Sequence, residues 1–427
     1  KGYNVNENFD DNFKLKEEIK EILPQGDKRI SACPHTNGGK LLKEIILPSW
    51  QDFAVKTNGH GKVKAQDMKV LGSYIGKVFE LNRDNQNYRV FSPDEAMSNR
   101  LYDMFKTEKR DFNAEILPTD EYLSQSGRIM DSYLSEHMCE GWLEGYLLTG
   151  RHGMFHSYEA FARVIDSMVS QHAKWLKVCR SLPWRAPISS LNLVLTSNVW
   201  QQDHNGYTHQ EPGFLDHIAN KKSEIVRIYL PPDANCLLSC YDHCQASKNY
   251  INVIVASKHP SFQWLSAKEA KEHCTKGIGV WKWASRDEKE PDIVIASAGD
   301  TPTLEALAAV TILKDSFPTL KIRFVNVVDV MKLEPHALHP HGLTDNEFNK
   351  IFTKDKPVLF AFHGYPKFIY DMLAERKAYN FEVHGYNEEG SITTAFDMRV
   401  QNKIDRFNLS LSALKLLGID DKKFENK

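Results

Sequence analysis

Residues 135–158, SEHMCEGWLEGYLLTGRHGMFHSY, place carboxylates where a plain packed helix would not. Glu136, Glu140 and Glu144 recur at i, i+4 and i+8, so a helix here carries all three on one face, where like charges four apart repel. Trp142, Leu143, Tyr146, Leu147 and Leu148 lie among them and leave that helix little room to be wholly exposed. Two readings follow. The acids form a solvated stripe on an amphipathic helix, or one of them is buried and hydrogen-bonded to a ligand nitrogen. In the second case desolvation raises its pKa and makes it a proton carrier near neutral pH.

Around this stretch the pattern is α/β. Short apolar, β-branched runs recur at 88–91, 190–195, 226–230 and 251–256. Between them lie helical stretches such as 157–178, whose period places Phe161, Val164, Ile165 and Met168 on one side. Strands alternating with helices favour a parallel sheet with ligand groups at the carboxyl ends of strands. Polar loops follow three of the runs: SPDEAMSNR, TSNVWQQDHNGYTHQEPG and SKHP. A second unit begins near Asp292, with DIVIASAGD as a buried strand ending in a glycine turn and TPTLEALAAVTILKD as an amphipathic helix. IRFVNVVDVMKL and KPVLFAFHGY supply two more strands, and GVWKWASRDEKEP separates the units with charged and proline breakers. The expected fold is therefore α/β: two consecutive units with mainly parallel sheets flanked by helices. Residues 1–55 read as a linker or amino-terminal extension, broken by Pro24, Gly26, Pro34, Gly38, Gly39 and Pro48, with a short helix near 14–22. The first unit then spans 56–280 and the second 281–427.

A chain of 427 residues is too long for one ordinary core. Its 54 basic and 56 acidic residues leave a formal charge of -2, so no global field recruits nucleic acid or an anionic membrane. Any anion site must be local. No run approaches the roughly 18 apolar residues of a membrane span, and the amino terminus lacks a signal-peptide core, which gives cytoplasmic as the expected location. The seven cysteines do not form the framework of a small disulfide-rich domain. Cys236, Cys240 and Cys244, with His243, share a helical face, and core packing is favoured over zinc because the paired ligand spacing is missing. No metal ligand is assigned in this chain.

The loops carry the candidate chemistry. His204, Asn205 and His209 sit in DHNGYTHQEPG, where side chains are exposed for acid–base work, anion binding, a metal or a structural role. Ser98, Asn99 and Arg100 form a compact anion-binding set, and Lys258 follows a strand as an anion-reading lysine would. Together with a half-buried carboxylate and the aromatic pair Tyr158 and Phe161, they suggest a phosphorylated substrate and an aromatic cofactor ring.

SEHMCEGWLEGYLLTGRHGMFHSYEAF, QDHNGYTHQEPG, PDEAMSNR and HGYNEEGSITTAFDMRV with the following DRF together resemble xylulose 5-phosphate/fructose 6-phosphate phosphoketolase, a thiamine-diphosphate enzyme related to transketolase. The resemblance runs from about residue 30 to 410 and corresponds to the pyrimidine-binding and carboxyl-terminal domains of that family. It implies an amino-terminal domain outside this sequence that holds the diphosphate and its Mg²⁺, since no Gly-Asp-Gly metal motif occurs here.

By that resemblance Glu136 is the acid that hydrogen-bonds the cofactor's aminopyrimidine, with Glu140 as the rival register one turn away. Phe161 stacks on the pyrimidine and Tyr158 lies nearer the sugar. His204 and His209 act around the reacting ketose and donate to developing oxyanions. Ser98, Arg100, Asn205 and Lys258 hold phosphate, with Arg185 of LPWRAP as a further candidate. The implied reaction splits the ketose phosphate, with inorganic phosphate taking the two-carbon fragment as acetyl phosphate. The implied partners are a sugar phosphate, inorganic phosphate, a second copy of the chain in a homodimer or larger homo-oligomer, and the diphosphate-binding domain; neither nucleic acid nor membrane is among them. A transketolase-type transferase, or a dimerising half without activity of its own, are the other classes open at this point.

Overall fold

A computed structural model describes residues 4–30, 32–33, 43–112, 114–287, 290–376 and 380–419; Pro34, Gly38 and Gly39, read above as linker breakers, lie outside them. The first sheet has seven strands: β1 (Tyr88–Ser92), β2 (Arg110–Asp111), β3 (Ile129–Asp131), β4 (His152–Tyr158), β5 (Leu191–Thr196), β6 (Val226–Tyr229) and β7 (Ile251–Val255). All are parallel, in the spatial order β2-β3-β1-β4-β5-β7-β6. The second sheet has β8 (Ile278–Val280), β9 (Ile293–Ala298), β10 (Ile322–Val327), β11 (Val358–Phe362) and β12 (Phe381–His384), in the order β8-β10-β9-β11-β12. Only β8 runs antiparallel.

Helices cover both faces of the first sheet, as a parallel sheet requires. Helix α1 (Asp67–Leu81) lies on one face and α2 (Glu136–Leu148) and α3 (Asp166–Arg180) on the other. Met68, Leu71, Ile75 and Val78 of α1 share a core with Val90, Met154, Val194 and Ile254, whereas Cys139, Leu143 and Leu147 of α2 share one with Phe91, Phe155 and Leu193. Helix α2 comes so close to the sheet that a Cβ on Gly153 would sit 2.7 Å from the Arg89 carbonyl and 2.8 Å from the Leu143 side chain.

Several elements differ from the sequence expectation. Ser157 and Tyr158 end β4, residues 159–165 wind as a 3₁₀ turn, and α3 begins only at Asp166. The tighter turn shifts the phase, so Ile165 is buried while Val164 is 52% exposed. Strand β4 gives no alternation because six of its seven residues are buried, on both faces. Near the amino terminus the helix is Glu17–Ile22. The end of the presumed linker is docked: Ile46 N–H donates to Asn82 and Val55 N–H to Asn235, at 3.0 and 2.8 Å. Of the segment GVWKWASRDEKEP, residues 279–287 are likewise packed, with Trp281 buried against Phe324 and Arg286 bridging to Ile322. The second sheet also reaches back across position 281, since β8 belongs to it.

The two units share one interior. Leu230 N–H donates to the Val328 carbonyl at 2.7 Å, and the Trp200 indole N–H to the His363 carbonyl at 2.9 Å. Glu159, fully buried, accepts the Val199 N–H at 2.8 Å through Oε2 and lies 2.7 Å from His363 Nε2 through Oε1. Burial pushes the His363 imidazole down, but the charge and hydrogen bond of Glu159 outweigh it and its pKa lies above the ordinary histidine value. A raised imidazole pKa contributes stability that is full below about pH 6.5 and lost as pH rises through the folded-state value.

Glu159→Gln should therefore cost about 3 kcal/mol, as breaking a buried ion pair does. In urea melts, the stability gap between the wild type and His363→Gln should be widest near pH 6 and shrink as pH rises above the ordinary histidine range. A gap independent of pH would show that His363 is neutral in the fold.

Candidate active site

The chain leaves β1 for β2 and β3 on one side and β4 for β5 on the other, so the sheet's topological switch point lies between β1 and β4. Loops diverge there at the carboxyl ends and leave a crevice, which is where open α/β sheets bind ligands. The loop after β1 brings Glu95, Ser98, Asn99 and Arg100, and the start of α2 brings Glu136. Tyr158 ends β4 and Phe161 follows it; the loop after β5 brings His204, Asn205 and His209, and that after β7 brings Lys258 and His259.

The acids lie on the inner side. Glu95 is 4% exposed and accepts the Tyr158 N–H at 3.0 Å. Burial first, and the nearby Glu136 in addition, push its carboxyl up to about 8. Glu136 is 7% exposed at the first turn of α2, where the helix end favours negative charge. Among the described residues its carboxylate has no hydrogen-bond partner. Glu140 is a different group: wholly buried, with neither oxygen hydrogen-bonded among the described residues, and pushed up to about 10 by burial and then by Glu144. It faces Glu144, which lies 3.7 Å from His172, and not the crevice.

Opposite the acids stand cations and aromatic rings. Lys258, 5% exposed, holds its ammonium 4.5 Å from the centre of the Tyr158 ring. Burial lowers its pKa and Arg100 adds to that, against Tyr158 and Glu95. Arg100 is half-buried in a left-handed conformation at φ 65°, and its Nε is buried without a partner among the described residues. Tyr158 and Phe161 stack at 5.7 Å, and His209 meets Phe161 edge-on at 5.1 Å. Burial, then His204 and Lys258, lower the His209 pKa; burial, Lys258 and Arg100 do the same to His259. Burial first and neighbouring positive charge second thus favour the neutral form of each imidazole, and an anion placed among Arg100, Lys258 and His259 would oppose the second of these. His204 is exposed at the rim, and Asn205 donates to Gln202 Oε1 at 2.7 Å. Ser98 is exposed, its hydroxyl donating to the Glu95 carbonyl at 3.1 Å.

Arg185 is not brought to this crevice. It lies over the rings of Trp175 and Trp184, in a surface pocket with Arg180 and Lys248 at the amino ends of β5 and β7, the opposite edge of the sheet. Two members of the site escaped the sequence reading, Glu95 and His259, although both loops that carry them stood out. The acid in PDEAMSNR and the histidine in SKHP are single residues whose role depends on what faces them. Gln201 is a third: its amide donates to Ser257 Oγ at 2.6 Å and to Asp300 of the second unit at 3.2 Å, and it accepts the Lys258 N–H at 3.1 Å.

A crevice with buried acids, stacked rings and a cationic wall suits an anionic substrate beside a heteroaromatic group that exchanges protons with a carboxyl. The family model for D-xylulose 5-phosphate/D-fructose 6-phosphate phosphoketolase matches residues 69–247, and that for the XFP C-terminal domain matches 258–426. A probable phosphoketolase of Clostridium acetobutylicum is 59% identical over 411 residues, covering 96% of this chain and 52% of its own length. A probable phosphoketolase 2 of Rhizobium meliloti is 54% identical over 416 residues, covering 97% and 53%. The chain thus spans about half the length of the curated relatives it matches. Among solved structures, a transketolase of Pichia stipitis in complex with sedoheptulose 7-phosphate superposes with a TM-score of 0.63 at 15% identity, over 89% of this chain and 49% of the transketolase.

Glu95 allows a direct check on the electrostatics of the crevice. A carboxyl whose folded pKa is raised from 4.5 to about 8 favours the fold while protonated, and that contribution is lost as pH rises through this window. Glu95→Gln should match the wild-type melting temperature near pH 5 and exceed it near pH 9 by an amount worth about 1 kcal/mol or more. Equal melting temperatures at both pH values would mean that the carboxylate is solvated.

Proposed function

The chain belongs to the D-xylulose 5-phosphate/D-fructose 6-phosphate phosphoketolase family, and from that premise we propose that it is the carboxyl-terminal part of a phosphoketolase. The proposed reaction cleaves xylulose 5-phosphate, fructose 6-phosphate or both with inorganic phosphate. The products are acetyl phosphate and glyceraldehyde 3-phosphate or erythrose 4-phosphate. The enzyme works in the cytoplasm as a homodimer or larger homo-oligomer, and a diphosphate-binding domain outside this chain holds Mg²⁺.

The observation that carries this reading is the division of the crevice between buried acids and a cationic wall, with an Arg100 guanidinium nitrogen that has no partner among the described residues. Residues present fit thiamine diphosphate at its pyrimidine end: a buried acid without a hydrogen-bond partner among the described residues, Glu136, and an aromatic face, Phe161. When bound, thiamine diphosphate supplies the electron sink for carbon–carbon cleavage. Glu136 would hold a proton at the aminopyrimidine, Phe161 would stack on that ring, and Tyr158 would lie nearer the sugar. Lys258, Arg100, Ser98 and Asn205 bind the phosphate of the substrate. His204 and His209 donate to oxygen as negative charge develops on it, a role open to neutral imidazoles as well as charged ones. Tyr133, Leu134, Met138 and Trp142 expose apolar surface around the start of α2, at 69, 72, 42 and 39%, which supports a further domain or subunit covering this side of the crevice. A split-gene transketolase described as an inactive β4 tetramer has a similar fold, with a TM-score of 0.50 at 13% identity over 84% of this chain and 100% of its own.

Glu136→Gln in the complete enzyme should abolish acetyl phosphate formation without lowering the melting temperature, while Glu140→Gln should be milder. The reverse order would shift the assigned acid by one helical turn. Lys258→Ala and Arg100→Ala should weaken substrate or phosphate use by roughly 1.5–3 kcal/mol through KM, the range for a hydrogen bond to a charged group. Unchanged kinetics in both would remove them from the site. A two-carbon transfer to an aldose with no acetyl phosphate would make the enzyme a transketolase-type transferase. By itself the chain should fold but neither turn over nor bind thiamine diphosphate and Mg²⁺ tightly in calorimetry, and submicromolar binding would sink that expectation.

A further inference from the structure

On the side of the joint away from the crevice, helix α4 (Ala234–Ala246) packs against helix α5 (Ala267–Lys276). A cavity of about 280 Å³ opens beside them, lined by Cys240 and His243 of α4, Cys274 of α5, and Asp329, Lys332 and His341 of the second unit. Nothing in the proposed reaction uses these groups. Cys236 and Cys240 are buried one turn apart on α4, whereas Cys274 is half-buried and opens onto the cavity. The Cys274 thiol donates to the Cys236 carbonyl at 3.7 Å, and the thiols of Cys236 and Cys240 lie beside it. Those two S–H groups, with His273, outweigh burial and hold the Cys274 thiol well below its ordinary range. The same contacts leave the protons on the partners: burial, then Cys274, raises Cys236, and Cys274, then burial, raises Cys240. Cys240 and Cys274 thus open onto one cavity, Cys274 being the more exposed and the more readily ionised of the two. That is the arrangement of an attacking and a resolving cysteine.

We propose that Cys274 and Cys240 form a thiol–disulfide exchange site that accepts a low-molecular-weight disulfide through this cavity. In the first step the Cys274 thiolate attacks one sulfur of the small disulfide, forming a mixed disulfide and expelling the other half as a thiolate. In the second, the Cys240 sulfur attacks Cys274, its proton passes to the departing thiolate, and the Cys240–Cys274 disulfide forms. Two protein thiols are oxidised, and one small disulfide is reduced to two thiols. The product ties α4 to α5 just before Gly277, whose carbonyl accepts the Val328 and Asp329 N–H groups at 2.9 Å each. The oxidised bond thus pins the joint through which the second unit meets the first.

Oxidised glutathione is the probe, with intact-mass analysis and non-reducing peptide mapping of the 427-residue chain. The wild type is expected to lose two hydrogens and yield a Cys240–Cys274 cross-linked peptide. Cys240→Ser should stop at one glutathione on Cys274. In the untreated wild type, iodoacetamide at neutral pH should label Cys274 about tenfold faster than Cys179, which is also half-buried. This readout needs no variant to fold. Labelling of Cys274 no faster than Cys179, a map with Cys274 still reduced, or a link to Cys236 instead would each overturn the assignment.

Discussion

The structure turns on the carboxylate of Glu159. It follows Tyr158 directly, so its position fixes the end of β4 and the ring that closes the crevice. One oxygen takes the Val199 N–H, which anchors the loop after β5, and the other meets His363 at the end of β11. Isolating such a charge from water is costly unless both oxygens are matched, and here they are. Asp300 extends the tie, since its carboxylate accepts from both Asn198 and Gln201 while its own charge favours the His363 imidazolium. The loop after β5 and, through Gln201, the backbone of Lys258 are thereby held by the second unit, whose Asp300, Thr301 and Arg399 also line the pocket beside His204 and His259. A domain that looks separable in sequence is what sets the geometry of the other domain's site.

With those loops fixed, the crevice sorts charge by depth. Acids occupy the sheet end and the start of α2, while cations occupy the loops after β1 and β7. The two groups are not paired off: Arg100 Nε has no partner among the described residues, and Lys258 rests on an aromatic ring. A folded chain that satisfied its charges internally would place Glu95 and Lys258 in an ion pair. Burial instead keeps the Glu95 carboxyl protonated near neutral pH and lowers the Lys258 ammonium, which leaves the cationic wall available to an anion and the acids available to a proton-exchanging ring. The depth of Glu140 shows the contrast. Nothing in the crevice reaches it, and its carboxyl is simply neutral within the packing between α2 and α3.

The order of strands and helices was legible because parallel sheets buried on both faces write their strands as apolar runs, as at 190–195, 226–230 and 251–256. Strand β4 was not, since HGMFHSY is central but carries histidine, glycine and serine, each justified by a close helix or a neighbouring loop that sequence does not display. Strands β2 and β3, of two and three residues, are too short to show a period. The site was legible by loop and not by residue. Loops that follow strands converge at one end of a parallel sheet, so naming them located the crevice. Within a loop, which side chain turns inward depends on partners far away in sequence, such as the Tyr158 N–H that draws in Glu95. Arg185 shows the same limit from the other side. It precedes β5 instead of following it, and a parallel sheet sends everything before its strands to the edge away from the crevice, however well the residue type suits phosphate.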